Sequence, residues 1–280
     1  MKRIVVTGAK GGAGTGIASV LQERGYEVVR TDLHPWTNAE AAGYVQLDLR
    51  QAEGVNDVFA GADGVIHFGS PPADAWFSTT EAFHHVTVAG FNVFQAAKNV
   101  GIKRIAWASS IEAYGDFKTH ASLPATEESP LAPPGIYGSS KIILERLAQD
   151  YCRWHGMSIA GFRLSRIIYD SDSGRAKLKQ IVEDEGWGQD CLWSYIDARD
   201  VATACIAWLE ADQQGAEEFN LAAENIHQEA NTIDLLQKYG YTNFSIAQLE
   251  TPDATLFSTA KIRSMLDWKA EYDWRDIIST

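Results

Sequence analysis

The sequence predicts an α/β protein, a doubly wound parallel sheet with a small lobe toward its C-terminus. Three observations carry that reading. The run Arg3-Ile4-Val5-Val6-Thr7 is continuous and β-branched, and it passes at once into glycines spaced Gly8-x-x-Gly11-x-x-Gly14 and then a helical period. Apolar strand-like runs then alternate with helical periods as far as Ile168, the pattern of successive βαβ units. After Tyr169 the composition turns polar, and the chain is expected to leave the sheet.

Taken in order, the first strand is fully covered, because a parallel strand buried on both faces needs no polar alternation. Ile17, Val20 and Leu21 give the first helix its apolar face, and Gly25 is placed to end it. Glycines between strand and helix permit a sharp turn and a close approach of backbone to a pyrophosphate, which the helix N-terminus attracts. A second strand at 27–31 ends in Asp32, where an acid can accept hydrogen bonds from a ribose diol and repel a 2′-phosphate. The cofactor expected is therefore NAD rather than NADP, with Lys10 and Arg30 as the residues that could reverse the preference.

Further strands are expected at 43–47, leading to Asp48 and Leu49, and at 64–68, leading to the turn Gly69-Ser70. Another at 105–108 runs into Ser109-Ser110, and a sixth within 157–168 ends near Arg163. Helices fall at 52–59, 76–100 and 136–154, with a proline-marked loop at 115–135. Residues 170–188 read as a polar excursion. The chain returns through 193–196, a helix at 199–210 with Val201, Cys205, Trp208 and Leu209 on one face, and a strand at 219–222. A Leu-rich helix and a last helix at 260–266 follow. The expected division is a nucleotide-binding domain of 1–168 with 199–222, and a lobe of 169–198 with 223–280.

The bulk numbers agree with a single large α/β unit. The chain has 280 residues, 45% of them hydrophobic, and its 24 basic against 37 acidic side chains give a net charge of −13. Non-specific binding to nucleic acid or an anionic membrane is disfavoured, and an anionic ligand would need a local basic cluster. Cys152, Cys191 and Cys205 lack metal-ligand spacing and are odd in number, so reduced thiols in a cytoplasmic protein are expected, with no metal. A strand beginning at Lys2 or Arg3 leaves no room for a signal peptide, and no stretch is long and apolar enough to span a membrane.

Chemistry is suggested by Tyr137-Gly138-Ser139-Ser140-Lys141. On a helix, positions four apart share a face, so the ammonium stands beside the phenol. A free tyrosine titrates near about 10, and a neighbouring ammonium favours the phenolate. Such a tyrosine can take the proton of an alcohol as hydride leaves its carbon. Ser110, at the end of a strand, can hold the reacting oxygen, while Ser109 reads better as a turn or cap residue.

With these motifs the chain resembles the extended short-chain dehydrogenases/reductases, the NAD-dependent epimerase/dehydratase family, whose sheet is of the Rossmann type. The likeness rests on Gly8 to Gly14, Asp32, Asp48-Leu49, Val65 to Gly69, Ser109-Ser110 with Tyr114-Gly115, Tyr137 to Lys141, Arg163, Tyr195 to Ala202 and Phe219-Asn220-Leu221. It implies that Gly8, Gly11, Gly12, Ala13 and Gly14 cradle the cofactor, that Asp48 and Leu49 hold its adenine, and that His67, Phe68, Gly69, Ser70 and Ala108 line it. It further implies a catalytic triad of Ser110, Tyr137 and Lys141, with Lys141 also on the cofactor ribose and Ser70, Ser110 and Tyr137 facing substrate. Where the family has an asparagine in a proton relay, this chain has Thr87, and Asn92 later in that helix is expected to be structural.

Within the family the short C-terminal portion resembles uronate dehydrogenase and related sugar dehydrogenases, in which an arginine after the sixth strand holds the substrate carboxylate. Arg175 stands in the matching place, the alternative being that Arg175, Lys177 and Lys179 form a solvated face. Trp76, Trp187 and Trp193 could stack on a sugar, though buried packing suits each better. Dimerisation through the helices containing Phe91 and Leu144 is a further implication.

Three functions are compatible with these residues: an NAD-dependent dehydrogenase of a free sugar or sugar acid, a nucleotide-sugar epimerase or dehydratase with NAD held throughout, and a binding protein that senses NAD. The intact Ser110, Tyr137 and Lys141 argue against the last. The small lobe, with little room for a nucleotide diphosphate, favours the dehydrogenase, although Arg166, Arg175 and Lys177 could bind phosphates.

Overall fold

The computed structural model describes residues 2–36, 42–70, 78–242, 245–246 and 249–279. Strand β1 (Arg3–Thr7) enters helix α1 (Gly12–Glu23), and β2 (Glu27–Asp32) and the short β3 (Tyr44–Gln46) follow on one side of β1. After α2 (Val55–Phe59) the chain crosses to β4 (Gly64–His67) on the other side of β1. Then come α3 (Thr79–Phe83), a π-helical turn at His84–Val88, α4 (Ala89–Val100), β5 (Arg104–Ser110), the two-residue β6 (Ser122–Leu123), α5 (Ile136–His155) and β7 (Ser158–Leu164).

Beyond β7 lie β8 (Arg166–Ile168), α6 (Asp172–Glu183), β9 (Tyr195–Asp197), α7 (Ala198–Glu210) and β10 (Gly215–Leu221). The chain closes with α8 (Thr232–Lys238), β11 (Ser245–Ile246), α9 (Ala260–Leu266) and α10 (Trp274–Ser279). The seven-stranded sheet has the order β10-β7-β5-β4-β1-β2-β3, and every pairing in it is parallel. This is the doubly wound, Rossmann-like sheet expected. Its order reverses between β1 and β4, so the two outgoing chains part there and leave a crevice at their carboxyl ends.

One face of the sheet packs Ile17 and Leu21 of α1 against Val201, Cys205 and Trp208 of α7, and the other packs Val93, Phe94, Leu144 and Tyr151 of α4 and α5. A third apolar cluster, around Tyr114, Phe117, Trp193, Ile226, Leu236 and Phe257, lies under the segments beyond the sheet. The all-apolar helix stripe of α7 is what locks it onto α1, where a Cβ at Gly16 would stand 3.2 Å from Ala198.

Several boundaries differ from those expected. The strand within 157–168 splits: β7 ends at Leu164, and β8 leaves the sheet to pair with β9, Arg166 opposite Tyr195. The polar excursion holds a regular helix, α6, because Ser171 caps it by accepting from Gly174 N at 3.1 Å. Within 76–100 the described helix begins at Thr79 and passes through the π-turn, while Trp76 lies outside the described residues. Helix α10, too short to show a period, had no counterpart in the sequence reading.

Candidate active site

The glycine turn is built by steric exclusion. Gly8 has φ +70°, and a Cβ there would lie 2.2 Å from the Phe68 carbonyl oxygen, so β1 and β4 meet as bare backbone at the crevice. A Cβ at Gly14 would lie 2.1 Å from Gly8 O, and one at Gly12 would lie 2.7 Å from the Tyr169 ring. Gly11 caps α1 without a side chain, which leaves the first N–H groups of α1, those of Gly12, Ala13 and Gly14, for an anion.

Beside the turn is a cavity of about 340 Å³ lined by Asp32, Leu33, Asp48, Leu49, Phe68 and Ser70, among others. Asp32 is fixed by two backbone donors, Lys10 N at 3.0 Å and His34 N at 3.1 Å, and its remaining lone pairs can accept from a diol. The two basic groups that could favour a 2′-phosphate are turned elsewhere. Lys10 Nζ donates to Pro35 O at 2.8 Å, and an Arg30 N–H donates to Ala42 O at 3.0 Å with its guanidinium 4.9 Å from the Trp36 ring centre. Glycine cradle, carboxylate and apolar cavity together fit an adenine dinucleotide.

The loop of Asp48 and Leu49, expected to hold the adenine, is tightly fixed. Arg50 grips Asp48 through Nε to Oδ1 at 2.9 Å and Nη2 to Oδ2 at 2.7 Å, and these hydrogen bonds hold its carboxyl below the usual range. Asn92 donates to Leu49 O at 2.8 Å and thereby fixes this loop, a structural role. His67 is buried beneath the turn rather than open to it. Its Nδ1 is hydrogen-bonded to Thr7 Oγ1 at 2.7 Å, and Thr7 Oγ1 also accepts from Gly69 N at 3.1 Å. Burial brings the imidazole down to about 3 and keeps it neutral.

At the other end of the crevice the structure brings Ser110, Tyr137 and Lys141 onto adjoining elements. Gly138 is the reason they can meet: a Cβ there would lie 2.7 Å from Glu112 O and 2.8 Å from Pro133 Cβ, so only glycine lets α5 start against the Ser110 turn. Ser110 Oγ accepts from Glu112 N at 3.1 Å and caps the turn that follows β5. Lys141 Nζ stands 5.1 Å from the centre of the Tyr137 ring and donates to Ala108 O at 2.7 Å. Burial, opposed in part by the Glu112 and Glu145 carboxylates, brings this ammonium down to about 7. The π-turn packs on α5, and within it Thr87 Oγ1 is buried without a partner among the described residues.

Sequence reasoning missed Glu145. It follows Lys141 by one helical turn, as Lys141 follows Tyr137, so the spacing was there to be read. Glu145 forms a buried pair with Arg163, Nη2 to Oε2 at 2.8 Å and Nε to Oε1 at 3.0 Å, and accepts from Ser109 Oγ at 2.7 Å. Arg163 also donates to Tyr114 OH at 3.0 Å, which donates to Asn220 Oδ1 at 2.6 Å. Ser109 thus ties the strand to α5, whereas Ser110 is left at the crevice.

On the side beyond the sheet, Arg175 is engaged by two carboxylates, those of Asp170 and, at 2.7 Å, Asp172. Trp193 is a core residue, fully buried with Nε1 donating to Glu185 O at 2.8 Å. Trp187 is half-buried beneath the guanidinium of Arg166. The Tyr195 to Ala202 motif resolves into packing and caps: Asp197 caps α7, and Asp200 accepts from Glu271 N and Tyr272 N to hold the C-terminal segment.

Known proteins share this fold and sequence pattern. The sequence description of the NAD dependent epimerase/dehydratase family matches residues 4–222. A uronate dehydrogenase of Pseudomonas putida is 34% identical over 174 residues, which span 58% of this chain and 60% of that relative's length. A UDP-glucose 4-epimerase of Corynebacterium glutamicum is 24% identical over 99% of this chain and 93% of its own. Among solved structures, MoeE5 in complex with UDP-glucuronic acid and NAD superposes with TM-score 0.76 at 18% identity, covering 99% of this chain and 97% of its own. A match running from the first strand through β10, over a sheet and glycine turn built as described, leaves one assignment: the chain belongs to the NAD-dependent epimerase/dehydratase family.

Proposed function

We propose that this protein is an NAD-dependent oxidoreductase that oxidises a sugar or sugar acid. The observation that carries the reading is Lys141 Nζ, buried 5.1 Å from the Tyr137 ring on the helix that faces Ser110. The bound NAD supplies the hydride acceptor. Ser110 Oγ orients the substrate hydroxyl, and the Tyr137 phenolate takes its proton as the carbinol C–H electrons depart, so alcohol becomes carbonyl. Lys141 in its ammonium form favours that phenolate, and Thr87 Oγ1 has a free hydrogen-bonding capacity with which to hold a relay water.

In this reading 1–168 with 199–222 hold the cofactor, and 169–198 with 223–280 recognise the sugar. Phe91, Ile143 and Trp154 present exposed apolar surface on α4 and α5, and we place a homodimer contact there. The three cysteines are free and buried, in keeping with a cytoplasmic setting. Among the described residues no helix is long and apolar enough to cross a membrane.

A second reading, a nucleotide-sugar epimerase that retains NAD, draws support from the epimerase relative that matches nearly the whole chain. One experiment separates the two: supply NAD with free sugars, sugar acids and nucleotide sugars, and follow NADH. Net NADH from a free sugar or acid, abolished in Tyr137→Phe while NAD still binds, is the expected result. Isomerisation without net NADH assigns the epimerase, and a fully active Tyr137→Phe protein refutes Tyr137 as the base.

A further inference from the structure

Backbone geometry requires glycine at two positions of the phosphate turn, but not at Gly12. Gly8 has a positive φ, and a Cβ at Gly14 would meet the carbonyl of Gly8, whereas Gly12 lies outside the left-handed region. The three heavy atoms nearest a Cβ at Gly12 all belong to one side chain, the ring of Tyr169, at 2.7 to 2.9 Å. The ring therefore stands where a side chain of residue 12 would begin. Cα–Cβ bonds in a helix tilt toward its N-terminus, so Tyr169 flanks the first turn of α1 on the side where an anion would lie.

Tyr169 is the first residue of the segment placed above in the sugar-binding lobe, and its backbone is held from three directions. Strand β8, just before it, pairs with β9, Ile168 opposite Asp197. Its carbonyl oxygen accepts from Ser171 N at 2.9 Å, and a Cβ at Gly174 would lie 2.0 Å from that oxygen. Asp170, next in the chain, is bound by both Arg175 and Arg199. These guanidiniums neutralise an acid that would otherwise repel phosphate beside the ring. Arg175, expected to hold a substrate carboxylate, thus fixes the segment that carries Tyr169.

The cavity of the crevice reaches the same turn, for Gly8, Lys10 and Gly11 line it and Gly12 is the next residue. Gly11 caps α1 without a side-chain bond, and the first turn carries no acid, so its leading N–H groups have no side-chain acceptor there. An aromatic wall beside those donors keeps water off them, and hydrogen bonds to phosphate oxygens strengthen in the drier setting. Tyr169 keeps 36% of its surface exposed, which leaves apolar area for a ligand at the turn to cover.

We propose that Tyr169 is a cofactor-binding residue contributed by the lobe, its ring packing against the pyrophosphate at the N-terminus of α1. The dinucleotide site then spans both sides of the crevice, and Asp170 ties its lobe-side wall to α6 and α7 through Arg175 and Arg199. This rests on the NAD of the family and not on the reaction proposed above.

The test is calorimetric binding of NAD and of ADP-ribose, which carries the pyrophosphate without the nicotinamide. Tyr169→Ala should weaken both alike, by about 5- to 30-fold, the scale of an aromatic contact and its buried area. Tyr169→Phe keeps the ring and should stay within about threefold of wild type. Gly12→Ala should also weaken NAD, because its methyl displaces the ring. Added to Tyr169→Ala, where that obstacle is gone, it should cost less than about twofold more. If Tyr169→Ala does not fold, Tyr169→Leu and Gly12→Ala carry the same comparison. NAD affinity unchanged in the Tyr169 and Gly12 variants overturns the proposal. So do a loss seen with NAD but not with ADP-ribose, and losses that simply multiply in the double variant. Turnover that survives Tyr137→Phe would instead sink the proposed reaction and leave these affinities standing.

Discussion

Lys141→Met should make the protein more stable near neutrality while removing its turnover. Lys141 is 2% exposed, and burial carries its ammonium from 10.5 down to about 7. At about 1.4 kcal/mol per unit, that fall corresponds to a folded-state cost of about 5 kcal/mol. The sign follows from proton counting. Between about pH 7 and 10.5 the unfolded chain holds the proton and the folded chain releases it, so stability rises with pH across that window. Below about pH 7 both states are protonated, and the whole cost is present.

Methionine has a similar volume and no charge, so it removes the cost and loses the bond to Ala108 O, worth about 1 kcal/mol. A net gain of about 2–4 kcal/mol is expected at pH 6–7, vanishing toward pH 10.5. Urea unfolding of both proteins without added cofactor, at four pH values across this range, measures it. A difference that does not change with pH would show that Lys141 is not held near 7, and the argument from burial would fail.

Glu145→Gln should destabilise the protein by about 3–5 kcal/mol because it strands the buried Arg163 charge, and Glu145→Gln with Arg163→Met should recover part of that loss in urea unfolding. Equal unfolding midpoints for Glu145→Gln and wild type would mean the pair is not buried as described. Wild type should bind NAD more tightly than NADP, and Asp32→Ala should narrow the ratio by about tenfold or more, since it removes both the acceptor for the diol and the repulsion of a 2′-phosphate. Dissociation constants for the two cofactors decide: equal or tighter NADP binding by wild type would show that Lys10 or Arg30 overrides the acid, and an unchanged ratio in the variant would refute Asp32 as the selector.

The sequence alone determined the sheet and the cofactor turn, because both depend on short-range rules. Unbroken β-branched runs demand strands covered on both faces, and Gly8 and Gly14 stand where backbone meets backbone at little more than 2 Å from any added Cβ. The spacing of Tyr137 and Lys141 likewise fixes their shared face whatever surrounds them.

Tertiary structure decided how each charge is spent. Whether Arg175 is free or paired depends on Asp170 and Asp172, whose positions follow from β8 leaving the sheet and from Ser171 starting α6. Whether Lys141 is an ordinary ammonium or one held near 7 depends on burial beneath α5 and β5, which no spacing records. Periodicity reports which side of an element is apolar, but ion pairing and desolvation depend on distances between residues far apart in the chain. Ser109 and Ser110 show the difference within two residues: alike in sequence, one is tied to Glu145 and Arg163, and the other is left at the crevice.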